Sequence, residues 1–448
     1  MNLRRGKQVG VVHATLNPDG PGVVRLHLVP PKNSDVPHIL FINGYQIIPL
    51  SESEAWLTRL FIEELTAKAP QGEELSNEFI DQILETVANK MSRLYPKIAK
   101  NRFKADVVKL VDAFFCFARG ENPGVNLPFV SLQDYVEQMT GPHRMDLIIS
   151  PMERNGHHAC PLNCLNCYAK QSAMSVEASE ELSTLQWKQI VDRCREAGVV
   201  QITFTGGEPT TRADLVKLIA YAKELITRLN TSGVTLTTKL AKELYEASLD
   251  SVQFTLYSQF AYVHDQLVGR EGAWLKTIQG IFNALEAGLN VSVNTPLCSA
   301  NREYVGLLSL LKELGITYVS CSGLIPTGGA VKSLQNDGAL SSDELFAILE
   351  KAQEFCAQNE MELAFTSPGW ISEEKLASLG LPVPTCGACT SNMAITPTGA
   401  VVPCQSWLSD PKGLGNMLTT PWEQIWNSQK CQAIRNQKLD NTCPLKEL

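Results

Sequence analysis

The sequence predicts an α/β fold in which six strand–helix units in series build a parallel barrel or partial barrel, a partial (β/α)6 TIM-type architecture. A small α+β segment precedes it and a short turn-rich segment follows. Three observations carry this expectation. From about Met145 to Gln358, short apolar runs alternate with amphipathic helical stretches, the rhythm of a parallel sheet with helices outside and functional residues at the C-terminal strand ends. Before Met145, apolar runs flank turn dipeptides and then give way to three helical patterns; beyond Trp370 the alternation stops and cysteines gather. The 448 residues, 44% apolar, suffice for two or three domains with a sizeable core and exclude wholesale disorder. A net charge of −8 argues against a general nucleic-acid-binding surface. No apolar run approaches the roughly 18 residues of a membrane helix, and the start Met1-Asn2-Leu3-Arg4-Arg5 lacks the apolar stretch of a secretory signal.

In the first 140 residues, Asn17-Pro18-Asp19-Gly20 marks a hairpin over Val9 to Val29, and Asn43-Gly44 a second, with the type I′ turn signature. Helices are expected over Glu52–Ala67 after Ser51, Glu78–Leu94 after Ser76, and Ala105–Arg119. Strands followed by three helices resemble a winged-helix-like module. Connectors at Gly120–Gly124 and Gly141-Pro142 lead out of it. The six strands of the series are Asp146–Ile149, Val199–Phe204, Ile226–Asn230, Val252–Tyr257, Val291–Asn294 and Tyr318–Cys321. Domain boundaries are expected at 1–140, 141–368 and 369–448.

Thirteen cysteines in a large chain without an export signal favour metal or redox chemistry over a disulfide framework, and a reducing, cytoplasmic setting. Six of them (Cys116, Cys194, Cys298, Cys321, Cys356, Cys431) lie singly in apolar segments and read as packing. The other seven cluster. Cys160, Cys164 and Cys167 share one loop after the first strand of the series; Cys386, Cys389 and Cys404 form a second group, with Cys443 near the C-terminus. Three thiolates leave one iron of a cubane open to an exogenous ligand, while a zinc site could borrow His157 or His158. The next strand ends in Gly206-Gly207-Glu208-Pro209. Its glycines let backbone approach a ligand closely, and Glu208 with neighbouring carbonyls suits an ammonium group.

With CPLNCLNC and GGEP in a βα series, the chain resembles the radical S-adenosylmethionine (radical SAM) superfamily over roughly residues 145 to 365. The resemblance implies a [4Fe-4S] cluster on Cys160, Cys164 and Cys167, whose open iron chelates SAM. The cluster would pass an electron to SAM, giving a 5′-deoxyadenosyl radical that takes hydrogen from an unreactive C–H bond. It also implies that Gly206, Gly207, Glu208 and Pro209 line the methionine amino group, and that Thr231, Ser232, Thr255 and Asn294 meet SAM at the strand ends. The aromatic residue the family places before its third cysteine is here Asn166, with Tyr168 one position on as substitute. HDQLVGREGAW (His264–Trp274) and GLIPTGGA (Gly323–Ala330) resemble a subset of the family, with Arg270 expected either to hold a carboxylate of SAM or substrate or to sit in a helix-capping loop.

The Cys389–Gly399–Cys404 spacing, with GLGNM and WEQIWNS after it, resembles the SPASM and twitch domains that carry auxiliary iron–sulfur clusters. Gly399 reads as a hairpin turn facing the Cys386–Cys389 knuckle, a zinc ribbon being the rival reading. Cys443, so near the end of the chain, makes one auxiliary [4Fe-4S] cluster, the twitch form, the expectation; Cys386, Cys389 and Cys404 are its ligands and Cys443 the fourth, with Cys431 or a substrate atom as competitors. The resemblance to peptide-modifying maturases implies a ribosomally made precursor peptide as substrate, recognised by strand addition near Tyr45 to Leu50. It also implies a flavodoxin- or ferredoxin-type electron donor, and neither nucleic acid nor membrane as partner. The alternatives are a small-molecule radical SAM enzyme like the molybdenum-cofactor cyclase, and a non-enzymatic iron–sulfur or zinc scaffold.

Overall fold

The computed structural model describes residues 9–16, 24–31, 33, 35–68, 76–118, 121–124, 128–335, 338–436 and 443–446. The chain divides into two compact units. One is Met1–His143 with Cys194–Gln201 and Glu224–Ile226; the other is Arg144–Arg193, Ile202–Lys223 and Thr227–Leu448.

The first unit holds an antiparallel meander of β1 (Val12–Leu16), β2 (Val24–Val29), β3 (His38–Ile42) and β4 (Gln46–Leu50), in that spatial order. Both expected hairpins are present as strand pairs; the Asn17–Gly20 turn lies outside the described residues. Asn43 and Gly44 both take positive φ (50° and 80°), as a type I′ turn demands. The helices α1 (Glu52–Lys68), α2 (Asn77–Leu94) and α3 (Lys100–Ala118) follow. Ser51 and Glu54 form a reciprocal cap, with Glu54 accepting from the Ser51 N–H at 2.8 Å, and Ser76 caps α2 through the Phe79 N–H. Leu26, Leu28, Leu40 and Ile48 of the sheet pack with Trp56, Phe61, Val87, Met91 and Phe114 of the helices in one core. The edge expected to be open at Tyr45–Leu50 is taken in part: the Val130 N–H donates to Ile47 O at 3.1 Å.

In the second unit the expected strands appear as β5 (Arg144–Ser150), β6 (Gln201–Gly206), β7 (Ile226–Thr231), β8 (Ser251–Thr255), β9 (Asn290–Pro296) and β10 (Tyr318–Ser322). A seventh, β11 (Glu362–Phe365), pairs parallel with β10. Its four residues begin on a glutamate, so no apolar run announces it. The C-terminal segment joins the same sheet. Here β12 (Asn392–Ile395) runs parallel to β5, and β13 (Val401–Val402) turns back antiparallel on β12. The sheet order is β11-β10-β9-β8-β7-β6-β5-β12-β13. Helices between the strands match the expected series, and two further ones lie at Ala261–Val268 and Ala330–Gln335. Five of the six cysteines read as packing (Cys194, Cys298, Cys321, Cys356, Cys431) are buried, and Cys116 is half-buried. Among the described residues no helix is long and apolar enough to cross a membrane.

Candidate active site

The loop after β5 carries Cys160, Cys164 and Cys167, and its backbone is held by the end of the Ala261–Val268 helix and by one later loop. Asn163 and Leu165 donate their N–H groups to Val268 O (3.0 Å) and Leu267 O (2.8 Å), and the Gly329 N–H donates to Cys167 O at 2.8 Å. These are the stretches HDQLVGREGAW and GLIPTGGA, whose place in the molecule is thereby explained: each is a brace for the cysteine loop. Their glycines are steric necessities. A Cβ on Gly269 (φ +65°) would stand 2.6 Å from Asn163 O, on Gly328 (φ +57°) 2.5 Å from Cys167 O, and on Gly329 2.3 Å from Leu165 O. Gly329→Ala is therefore expected to displace the loop and halve the iron bound per chain after reconstitution, leaving the C-terminal cysteines loaded; iron analysis with paramagnetic resonance checks this, and wild-type iron content would refute it. Arg270, expected either to hold a carboxylate or to sit in a helix-capping loop, lies in the turn between two helices, is exposed and donates Nη1 to Pro161 O at 2.7 Å. It is a third brace.

The three thiols interact electrostatically and lie largely out of water. Burial pushes Cys160 up to about 12 and raises Cys164 and Cys167 as well. Soft sulfur donors that ionise poorly alone are suited to a site where cationic iron stabilises the thiolates, so the donor set fits an iron–sulfur cluster. His157 and His158 are exposed, and the His158 Nε2–H donates to Leu162 O at 2.9 Å, which gives that nitrogen a backbone partner.

β6 ends beside the loop. Gly206 (φ +150°) and Gly207 lie so close to β5 that a Cβ would come within 2.4 Å of Ser150 and 2.5 Å of Pro151 O. The close approach expected toward a ligand is, in the fold, an approach to the neighbouring strand. Glu208 is 1% exposed, and its carboxylate is fully engaged. Oε1 accepts from the Thr210 N–H (3.1 Å), the Thr210 hydroxyl (2.6 Å) and the Thr231 hydroxyl (2.6 Å); Oε2 accepts from the Ser232 N–H (2.9 Å) and hydroxyl. Five donors already fill the acceptor sites expected to meet an ammonium group, so this side chain ties the end of β6 to the end of β7. Pro209 opens the short 3-10 turn after it, which Glu208 caps. Thr255 and Asn294 are register partners on β8 and β9, and Asn294 Oδ1 accepts from the Ser320 hydroxyl at 2.9 Å.

The C-terminal cysteines assemble around the β12–β13 hairpin, which turns at Gly399 (φ +86°) as expected. Cys443 is brought to Cys386 by a side-chain hydrogen bond and faces Cys404; that bond and burial push its thiol well up, and burial raises Cys404 to about 12. Cys389 is buried at positive φ, with its N–H on Pro403 O. Cys431, the competing ligand, is buried with its Sγ accepting from Arg435 at 3.1 Å.

Sequence reasoning missed the residues that join the two cysteine groups. The Tyr168 hydroxyl, beside Cys167, donates to Gln405 Oε1 (3.3 Å), beside Cys404. Gln171 donates to Tyr168 O (2.6 Å) and Ser406 O (2.9 Å) while its Oε1 accepts from the Leu408 N–H. Tyr168, offered as an aromatic packing on SAM, is thus bonded toward the C-terminal hairpin. These partners lie some 235 residues apart in the chain, so no local pattern marks them.

Comparison with known proteins agrees with this arrangement. Residues 155–311 match the radical SAM superfamily model and 386–445 match SPASM, an iron–sulfur cluster-binding domain. The chain is 30% identical over 278 residues to a PqqA peptide cyclase of Methylocella silvestris, spanning 60% of this chain and 69% of that one. It is 29% identical over 289 residues to an AdoMet-dependent heme synthase of Oleidesulfovibrio alaskensis, spanning 61% and 73%. In fold it is similar to Streptococcus suis SuiB bound to its precursor peptide SuiA, with a TM-score of 0.59 at 14% identity, covering 92% of this chain and 93% of that one. The braced three-cysteine loop, the GGEP strand end and the sequence matches together establish that this chain belongs to the radical SAM superfamily and carries a SPASM iron–sulfur domain.

Proposed function

We propose that the protein is a radical SAM peptide maturase. Cys160, Cys164 and Cys167 hold the catalytic [4Fe-4S] cluster, and Cys386, Cys389, Cys404 and Cys443 hold one auxiliary cluster. With SAM bound, the catalytic cluster supplies the electron that yields a 5′-deoxyadenosyl radical, the oxidant of a substrate C–H bond. The chain's own part is placement. The braces at Val268, Arg270 and Gly329 fix the cysteine loop, Glu208 sets Thr231 and Ser232 at the strand ends, and Gly206, Gly207, Pro209, Ser232, Thr255 and Asn294 line the SAM pocket. The sheet curls into a partial barrel, a reading supported by Arg228 on β7 interacting with both Arg144 on β5 and Tyr318 on β10. Boundaries near 140 and 368 set off a winged-helix-like segment and the auxiliary domain. A cytoplasmic flavodoxin or ferredoxin delivers the electron.

The observation that carries the peptide substrate is the likeness to a peptide-bound enzyme over 92% of the chain, joined to the 30% identity with a peptide cyclase. The meander β1–β4 with its three helices offers sheet edges for a leader segment; on the Tyr45–Leu50 edge the Ile47 carbonyl already accepts from Val130. The heme synthase relative favours a second reading, a tetrapyrrole substrate. Reduced protein incubated with SAM and precursor peptides encoded beside its gene tests the first. Mass change in a peptide with stoichiometric 5′-deoxyadenosine supports it, and conversion of a tetrapyrrole instead overturns it. In the same assay Cys404→Ala is expected to keep uncoupled SAM cleavage while losing product at least a hundredfold; unchanged iron content in that variant would refute the auxiliary cluster.

A further inference from the structure

Arg228 and Asn230 stand two residues apart on β7 and therefore share one face of the sheet. Register extends that face to Ser251 and Gln253 on β8, to Ser292 on β9 and, one step further along the strands, to Thr255, Asn294 and Ser320. It is a polar surface where a filled core would be apolar. Several members satisfy one another: Gln253 donates to the Ser320 hydroxyl (3.3 Å), which donates to Asn294 Oδ1. Arg228 is different. Its Nη2 reaches the Ser292 hydroxyl at 3.3 Å, while its buried Nε has no partner, nor has Asn230 Oδ1 beside it. Among the described residues no carboxylate lies within ion-pair distance of it. The charged neighbours are Arg144 and Asp146, already paired with each other at 3.0 Å, and Tyr318 stands on the other side. The guanidinium is thus an uncompensated cation in a largely buried place, a costly arrangement unless an anion arrives to meet it. Burial and the Arg144 charge hold it below its usual pKa, in keeping with that cost.

We propose that Arg228 is a substrate-recognition residue that binds a carboxylate of the substrate, with Asn230 accepting an N–H next to it. The planar guanidinium fork is built for such a group. Arg228 lies four residues, about 13 Å along the strand, below Ser232 at the strand end. Its carboxylate therefore belongs to a ligand other than SAM, and under the peptide reading above it is an Asp or Glu side chain of the peptide.

The test uses the full chain, reconstituted and SAM-loaded, titrated by NMR with N-acetylglutamate methylamide, its glutamine counterpart, and glutarate. The glutamyl probe is expected to bind at least tenfold more tightly than the glutaminyl one, with the difference abolished by Arg228→Gln. Equal binding of the two probes to the wild type, or a matching loss of SAM affinity in the variant, overturns the assignment. Glutarate binding as tightly as the glutamyl probe, in an Arg228-dependent way, upholds the carboxylate site and counts against a peptide substrate. Should Arg228→Gln fail to fold, Arg228→Lys keeps the charge but not the fork, and is expected to lose about fivefold in preference; an unchanged preference overturns the proposal.

Discussion

Cys164→Ala is expected to abolish SAM cleavage, by at least a thousandfold, and to lower iron from about eight to about four per chain. The loop itself should survive. The two backbone bonds that flank this cysteine, Asn163 to Val268 and Leu165 to Leu267, use no side chain, and the alanine removes a thiol that burial already disfavours as an anion. What disappears is the middle of three ligands, leaving two that cannot hold a cubane and an open iron together. Wild-type iron content, or 5′-deoxyadenosine formed at the wild-type rate, would refute the assignment. Cys356→Ala, which removes a buried thiol far along the chain, is the control for nonspecific loss.

Glu208→Ala should cost more in stability than a typical substitution. Two backbone N–H groups, of Thr210 and Ser232, lose their acceptor in a buried place, along with the hydroxyls of Thr210, Thr231 and Ser232. Hydroxyls can rotate to other partners; the N–H groups cannot, and each unsatisfied one costs about 1–3 kcal/mol. The expected sum is about 3–5 kcal/mol, near the top of the range for single substitutions, with SAM affinity falling because the ends of β6 and β7 separate. Urea unfolding of the cluster-free chain isolates the first effect, since neither cluster nor SAM is then present. Normal unfolding with lost SAM affinity would show instead that Glu208 contacts SAM and holds nothing together.

How much of this could be read from the residues depends on the range of the interaction. CPLNCLNC and GGEP are local, and the parallel strands announce themselves because apolar residues on successive short runs must be buried. Six of the seven strands from β5 to β11 are legible on that ground. β11 is not, having four residues and a charged start. Long-range bonds are silent in sequence. Glu208 looked like a ligand for an ammonium group because its partners, Thr231 and Ser232, come from a strand 23 residues later. Tyr168 looked like a packing aromatic because Gln405 is 237 residues away. Arg270 stays open between a carboxylate clamp and a loop arginine in the sequence, because a carbonyl at Pro161 leaves no mark there. In each case the residue was noticed and its partner was not.

The pairing of β12 with β5 bears on how this chain can be dissected. Asn392 to Ile395 lie in register with Arg144 to Leu147, so the SPASM segment hydrogen-bonds the flank of the strand that leads into the catalytic cysteines. Cutting the chain ahead of the SPASM segment would bare that flank, a row of unpaired amides along Arg144, whose N–H donates to Ser391 O, then Asp146 and Ile148. Such a strand recruits any extended chain it meets. A truncated protein that precipitates would therefore report an exposed edge, and would say nothing about whether the auxiliary cluster is needed for chemistry.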